Sequence, residues 1–290
     1  MKLNILPEKR KSRFDEGLAE RMNREAEEMR KKGLLDEEPE PSKDIILLYE
    51  GEFDGWESYG HGVIIRNGNV LTAYRDDGTK HELYEGEFEG WRGYRNGVIV
   101  RNGNVFTACR ENKTKHELYK GEFDVWAEHG NGIIIEKVNV LTAYRDDEVE
   151  QVLYKRESES DDWACYGNGV IRNNEKVLTA YRDDGTKHRL YEGEFDSWNG
   201  YGNGVIVRNE NMFTACREDG TKTRLYEGKW DNWGGYENGA VIQDENVLTA
   251  YKDDGTKHRL YGGKFNHWLG YGNGVIIQNG KVLTAYRVKK

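Results

Sequence analysis

From Ile45 to the end of the chain, short apolar runs alternate with polar, glycine-bearing breaks. "GVIIRNGNVLTAYR" holds two such runs around Asn67-Gly68, and "VLTAYRDDGTKHELYEGEF" holds a further pair around Asp77-Gly78. Asn-Gly or Asp-Gly between apolar runs is the strongest short-range hairpin signal, because the turn needs positive φ. Three successive strands are therefore predicted, over 62–66, 70–75 and 80–88. The first two are almost continuously apolar, which predicts burial on both faces. The third alternates, with Tyr84, Gly86 and Phe88 on one side and Leu83, Glu85 and Glu87 on the other, as suits a strand nearer solvent.

The pattern repeats. Trp56, Trp91, Trp126, Trp163, Trp198, Trp233 and Trp268 lie thirty-five residues apart, except for a gap of thirty-seven before Trp163. Seven copies at a fixed spacing are the signature of a repeat architecture, in which one unit cannot bury its faces alone. Three antiparallel strands leave the chain running the wrong way for the next copy. A fourth, short and irregular, is therefore expected around Trp56 and Tyr59, with the two apolar strands innermost. Seven four-stranded units predict a seven-bladed β-propeller. The ends agree: repeat material begins with "DIILLYEGEF", a third strand, and stops at "KVLTAYRVKK", a second. In a closed ring the N-terminal strand would complete the last blade.

The opening of the copies, except the fourth, which loses "GEF" and the Asp-Gly turn, resembles the MORN (membrane occupation and recognition nexus) repeat, Y-x-G-x-[WF] followed by G-x-G. Tyr49, Gly51, Phe53, Gly60 and Gly62 fit it, as do Tyr191, Gly193, Phe195, Gly202 and Gly204; Trp230 takes the aromatic place in the sixth copy. In the second, Tyr84, Gly86, Phe88 and Gly97 fit, but Arg95 replaces a glycine. The resemblance implies an elongated stack of β-hairpins, the alternative fold, acting as a scaffold or membrane-proximal adaptor. Here "NVLTAYRDDGTKHE" lengthens each copy by a hairpin.

Ahead of the repeats, residues 1–44 read as a helix and linker, leaving 45–290 as the β domain. Residues 12–33 predict an amphipathic helix capped by Ser12 and Gly33, with Phe14, Leu18, Met22, Ala26 and Met29 in one apolar stripe. That stripe packs on its own chain or docks a partner protein. An acidic, proline-spaced linker follows.

Composition narrows the function. The formal net charge of −9 disfavours nucleic acid and anionic membranes, both of which call for a basic surface. Three cysteines without CxxC spacing, and no signal or membrane segment, point to the cytoplasm. No Gly-rich phosphate loop is present, so no cofactor is expected. The four equivalent histidines, His81, His116, His188 and His258, would be spread around a ring, so no metal is expected either. The pairs Asp76-Asp77, Asp146-Asp147, Asp183-Asp184 and Asp253-Asp254 read as turn residues. Cys109 and Cys216 replace the Tyr of "LTAY" while Phe106 and Phe213 replace its Leu, which reads as a compensated packing change.

The candidate binding residues are the seven Trp and the fourth-copy loop. The Trp could wedge neighbouring sheets or form sugar-stacking platforms. The residues before them (Gly55, Gly90, Val125, Asp162, Ser197, Asn232, His267) vary as no seven-site lectin's ligands would. The loop, with Glu157, Glu159, Asp161 and Asp162, is either drift or a dock for a basic protein surface. The expectation is a non-enzymatic protein-binding scaffold, with a carbohydrate-binding lectin as the alternative.

Overall fold

In the computed structural model, which describes residues 45–156 and 162–288, every copy folds into a four-stranded antiparallel sheet. The predicted helix over 12–33, with Phe14, Leu18, Met22 and Met29, lies outside the described residues, as do Glu157, Glu159 and Asp161. Twenty-eight strands, β1–β28 in chain order, are seen among the described residues. Blade 1 holds β2 (Gly55–Tyr59), β3 (Gly62–Asn67), β4 (Val70–Arg75) and β5 (Lys80–Glu85), side by side in that order. Five more blades repeat this arrangement. Blade 7 is built from β26 (His267–Tyr271), β27 (Gly274–Asn279), β28 (Val282–Arg287) and, paired to β28, the N-terminal β1 (Ile45–Glu50). With β2 lying against β26, the ring is closed. The protein is a seven-bladed β-propeller and not an elongated stack.

The order within a blade differs from the expected one. The Trp-bearing segment is a regular five-residue strand, and it is innermost: β2, β6 (Gly90–Tyr94), β10 (Val125–His129), β14 (Asp162–Tyr166), β18 (Ser197–Tyr201), β22 (Asn232–Tyr236) and β26 neighbour one another around the axis. The apolar β3 and β4 are the middle strands. Inner strands need little apolar side chain, because glycine backbone packs directly on the next blade. A Cβ on Gly200 would lie 2.5 Å from Cys165 O, and one on Gly270 would lie 2.4 Å from Gly235 O.

The continuous apolar run of β3 is buried on both faces, as its sequence predicts. Val63 and Ile65 face blade 7 with Tyr271, Ile276, Leu283 and Ala285, while Ile64 faces blade 2 with Val98, Val100 and Cys109. The core is thus a set of seams between blades. The outer strand carries a β-bulge, since Leu71 pairs Tyr84 and Thr72 pairs Glu82. Leu83 is left unpaired and drops into the core, 4% exposed, which interrupts the expected alternation. The β3–β4 turn also sits one residue later than Asn-Gly suggests: Asn67 still pairs Val70, and the turn is Gly68-Asn69 with positive φ at Gly68. No helix among the described residues is long and apolar enough to cross a membrane.

Candidate functional site

The seven Trp sit between blades. Trp56, Trp91, Trp126, Trp163, Trp198 and Trp233 are half-buried in the seams with their preceding blades, and Trp268 is buried. Their partners vary at one place in the preceding blade. Where that blade offers Gln or Glu, the indole Nε1–H donates to it: Trp56 to Gln278 at 2.9 Å, Trp163 to Glu136 at 2.9 Å, Trp268 to Gln243 at 3.0 Å. Where it offers Arg66, Arg101 or Arg208, the guanidinium lies over Phe88, Phe123 or Trp230 instead. Before the fourth Trp the aromatic is lost, and Arg156 reaches Glu136 at 2.7 Å. An ion pair replaces the cation–π contact. Asp162 is exposed at the start of β14, its carboxylate accepting from the Trp163 N–H at 2.9 Å.

The paired acids divide their work, which corrects their reading as turn residues. The second is the turn residue: Asp77 accepts from Thr79 N–H at 2.9 Å. The first is buried and ties its blade to the one before. Asp146, from blade 3, accepts from three groups of blade 2: Tyr94 OH at 3.1 Å, Asn96 Nδ2 at 3.2 Å and Arg110 Nε at 3.1 Å. Asp76 does the same for Tyr271, Asn273 and Arg287, and Asp253 for Tyr201, Asn203 and Arg217. Glu111 and Glu218 serve Tyr59 with Arg75, and Tyr166 with Arg182. Between blades 3 and 4, His129 stands where the others carry Tyr. It approaches Asp183 at 4.0 Å while Asn131 donates to that carboxylate at 2.9 Å. Burial, opposed by the Asp183 charge, pushes the His129 imidazole down to about 4. The seventh position is Val288, and the Tyr236 hydroxyl facing that seam is buried without a partner.

The two Cys-for-Tyr exchanges are not compensated by the Phe beside them. Phe106 packs in the seam between blades 2 and 3, Cys109 in that between blades 1 and 2. Three residues apart on a strand, they face opposite ways. Burial pushes both the Cys109 and the Cys216 thiol up to about 11.

Blade 3 departs most from its neighbours. Of the exposed large apolar residues among the described ones, Val125, Val138, Val149 and Val152 belong to this blade, the other being Met212. Val138, 73% exposed, takes the turn position of Gly68 with φ +50°, a conformation a β-branched side chain disfavours. Val152 lies 55% exposed on the outer strand β13 (Glu150–Lys155). The register there places Glu82, Glu117, Arg189, Arg224 and Arg259 at the matching position in five other blades, and Leu47 in blade 7.

The axis holds a cavity of about 370 Å³ at the end where the inner strands turn back. Its mouth is ringed by Gly60, Arg95, Gly130, Gly167, Gly202, Glu237 and Gly272, one from each blade. Here too glycine is required by backbone approach: a Cβ on Gly202 would lie 2.3 Å from Glu237 O. Arg95 and Glu237 come from opposite sides of the ring and pair across it at 3.0 Å. Deeper, at the place where blades 2, 5, 6 and 7 have glycine, blades 3 and 4 present Glu128 and Cys165 to the cavity. Glu57 and Arg92 pair beside them, and Arg92 Nε lies 3.9 Å from Glu128. Burial, with the Glu57 charge adding, holds the Glu128 carboxyl above the usual carboxylate range. Burial, with Glu128 nearby, pushes the Cys165 thiol well up. Among the described residues no group of three His, Cys, Asp or Glu is placed to hold a metal ion.

No family model and no curated protein matches the chain. Among solved structures, a catalytically inactive variant of virginiamycin B lyase from Staphylococcus aureus, determined with quinupristin, is similar. Its TM-score is 0.52 at 12% identity, over 84% of this chain and 100% of that one. At that identity the likeness is one of fold, and the fold is a β-propeller.

Proposed function

We propose that the chain is a non-enzymatic protein-binding scaffold that presents blade 3 to a partner. The observation carrying this reading is the gathering of Val125, Val138, Val149 and Val152 on one blade. Exposed outer strands are edges that charged side chains ordinarily protect from pairing. Five blades keep a charge at the outward position, and blade 3 replaces it with Val152. Val138 adds a costly backbone conformation at an exposed site, which folding alone does not reward. The partner best suited is an extended apolar segment lying beside β13 and carrying basic residues, since the acid-rich stretch 157–162 follows β13 directly in the chain.

The MORN-like opening of six of the seven copies supports a scaffold role, and the three unpaired cysteines support a cytoplasmic setting. The raised thiols and the tying of the buried acids into blade seams favour binding over catalysis. The test is affinity capture on the immobilised chain, compared with a variant that carries residues found at these positions in blades 1 and 2 (Val125→Gly, Val138→Gly, Val152→Glu). A defined protein retained by the native chain and lost by the variant is expected. Equal retention by both removes blade 3 from the function.

A further inference from the structure

Three exposed turns between the middle strands of a blade carry Asn-Gly: Asn67-Gly68 in blade 1, Asn102-Gly103 in blade 2 and Asn279-Gly280 in blade 7. Elsewhere among the described residues Asn precedes a buried glycine or, at Asn199, one inside the regular strand β18. Glycine after asparagine leaves the backbone nitrogen unshielded, so that nitrogen can attack the side-chain amide carbon. Asn67 and Asn102 share the same local sequence, Arg-Asn-Gly-Asn-Val. By local sequence alone the two are equally susceptible.

The attacking nitrogen, however, is held differently in each turn. Gly68 N–H donates to the Asp54 carboxylate at 2.6 Å, and Gly280 N–H donates to the Asn266 side-chain oxygen at 2.6 Å. Blades 3, 5 and 6 make the same contact, the N–H of Val138, Glu210 and Glu245 donating to Asp124, Asp196 and Asp231. Blade 2 has Glu89 at this place, one methylene longer, and its carboxylate lies 3.4 Å from the Arg101 guanidinium instead. Gly103 N–H is left without an acceptor among the described residues.

The asparagine side chains are otherwise held alike. Asn102 Nδ2 donates to Glu87 O at 3.0 Å, and the Asn67 and Asn279 amides, oriented to donate, reach Glu52 O and Lys264 O at 3.1 Å. A Cβ on Gly68, Gly103 or Gly280 would meet nothing, so each turn has room for a cyclic product. What differs is the proton on the glycine nitrogen. Attack requires its loss, and an N–H given to a carboxylate resists, because the amide anion would form against a negative charge.

We propose that Asn102 is a site of spontaneous deamidation, selected over Asn67 by the exchange of Asp for Glu89. Hydroxide takes the Gly103 N–H proton, and that nitrogen bonds to Asn102 Cγ. The Cγ–Nδ2 bond breaks, Nδ2 takes a proton from water and leaves as ammonia, and hydroxide is regenerated. Water then opens the succinimide ring at either carbonyl, giving aspartate or isoaspartate. Asparagine and water become an acid and ammonia, with nothing oxidised. Either product adds a carboxylate at the end of β7 (Gly97–Asn102), and isoaspartate also lengthens the backbone there by a methylene.

The test is peptide mapping by mass spectrometry on the full chain held in mildly alkaline buffer. Asn102 should convert about tenfold faster than Asn67, the ratio set by one hydrogen bond to a charged acceptor. Asn279 should fall between them, because its acceptor is neutral. Glu89→Asp should slow Asn102 to the rate of Asn67, and Asp54→Ala should raise Asn67 to that of Asn102; both change exposed side chains. In urea the Asn67 and Asn102 rates should converge. Equal rates in the folded chain, a difference that persists in urea, or an Asn102 rate unmoved by Glu89→Asp overturns the assignment.

Discussion

Six blade seams hold a carboxylate, buried in four and half-buried at Glu111 and Glu218, and the seam between blades 6 and 7 holds none. The residues that would serve it are nonetheless in place: Tyr236 is 4% exposed, and its hydroxyl is unpartnered. Lys252 stands where other blades carry Arg, and turns to Asp254 of its own blade at 3.5 Å. The backbone is undisturbed, for Val288 N–H donates to Asn273 O at 2.8 Å much as Asp76 N–H does to His61 O at 2.9 Å. The ring thus closes without its seventh carboxylate. Apolar seams supply the closure, and the carboxylates fix how neighbouring blades meet.

The comparison breaks most sharply by emptying a complete seam. Asp146→Ala strands Tyr94, Asn96 and Arg110, and should cost about 3–5 kcal/mol in urea unfolding, as expected when three donors lose their common acceptor. A loss below about 1 kcal/mol would mean that the seams are equivalent and the carboxylates incidental.

The next largest effect is one of pH at the seam between blades 3 and 4. His129 is neutral when folded and titrates near 6.5 when unfolded. Its contribution is therefore complete above 6.5 and is lost as pH falls from there through about 4. Up to roughly 3 kcal/mol is at stake across that window. His129→Tyr, the residue of the other six blades, should flatten this part of the stability profile, read by melting between pH 7 and 4.5. Coincident profiles for the two proteins would reject the assignment to His129.

The smallest effect repairs the incomplete seam. Val288→Asp together with Lys252→Arg should add about 1 kcal/mol by giving Tyr236 an acceptor. In that background Tyr236→Phe should become destabilising, whereas in the native chain it should be neutral or slightly favourable. If Tyr236→Phe costs the same in both, the hydroxyl gains nothing from the new carboxylate.

Repeat number, blade count and closure by β1 are all legible in the sequence, because spacing and turn residues are local signals. The innermost strand is not: "GWESY" looks irregular, since its burial comes from glycine backbone on the next blade and not from apolar side chains. The buried acids hide because Asp76 and Asp77 are adjacent and both polar, and only the second shapes the turn. A signal exists all the same. The residue after Arg75, Arg110, Arg145, Arg182, Arg217 and Lys252 is always Asp or Glu, even where the second acid is absent. The cavity is legible only as two exceptions, Glu128 and Cys165, at a place otherwise held by glycine or serine. That these two face the same space follows from the ring, which no single repeat reveals.

The pairing of β1 with β28 has a consequence for how the molecule comes to be. Every other outer strand is delivered to its partner by a four-residue turn, such as Asp76–Thr79, so its local concentration is high from the start. β1 must wait for a strand made more than two hundred residues later. Closing so long a loop costs roughly 3–4 kcal/mol more than closing a tight turn. During synthesis, β28 appears after the strands of the other six blades, and among the described strands β1 is the outer strand still free. The near-identical outer strands of the other blades are already engaged by their own turns, so the order of emergence on the ribosome selects the correct partner.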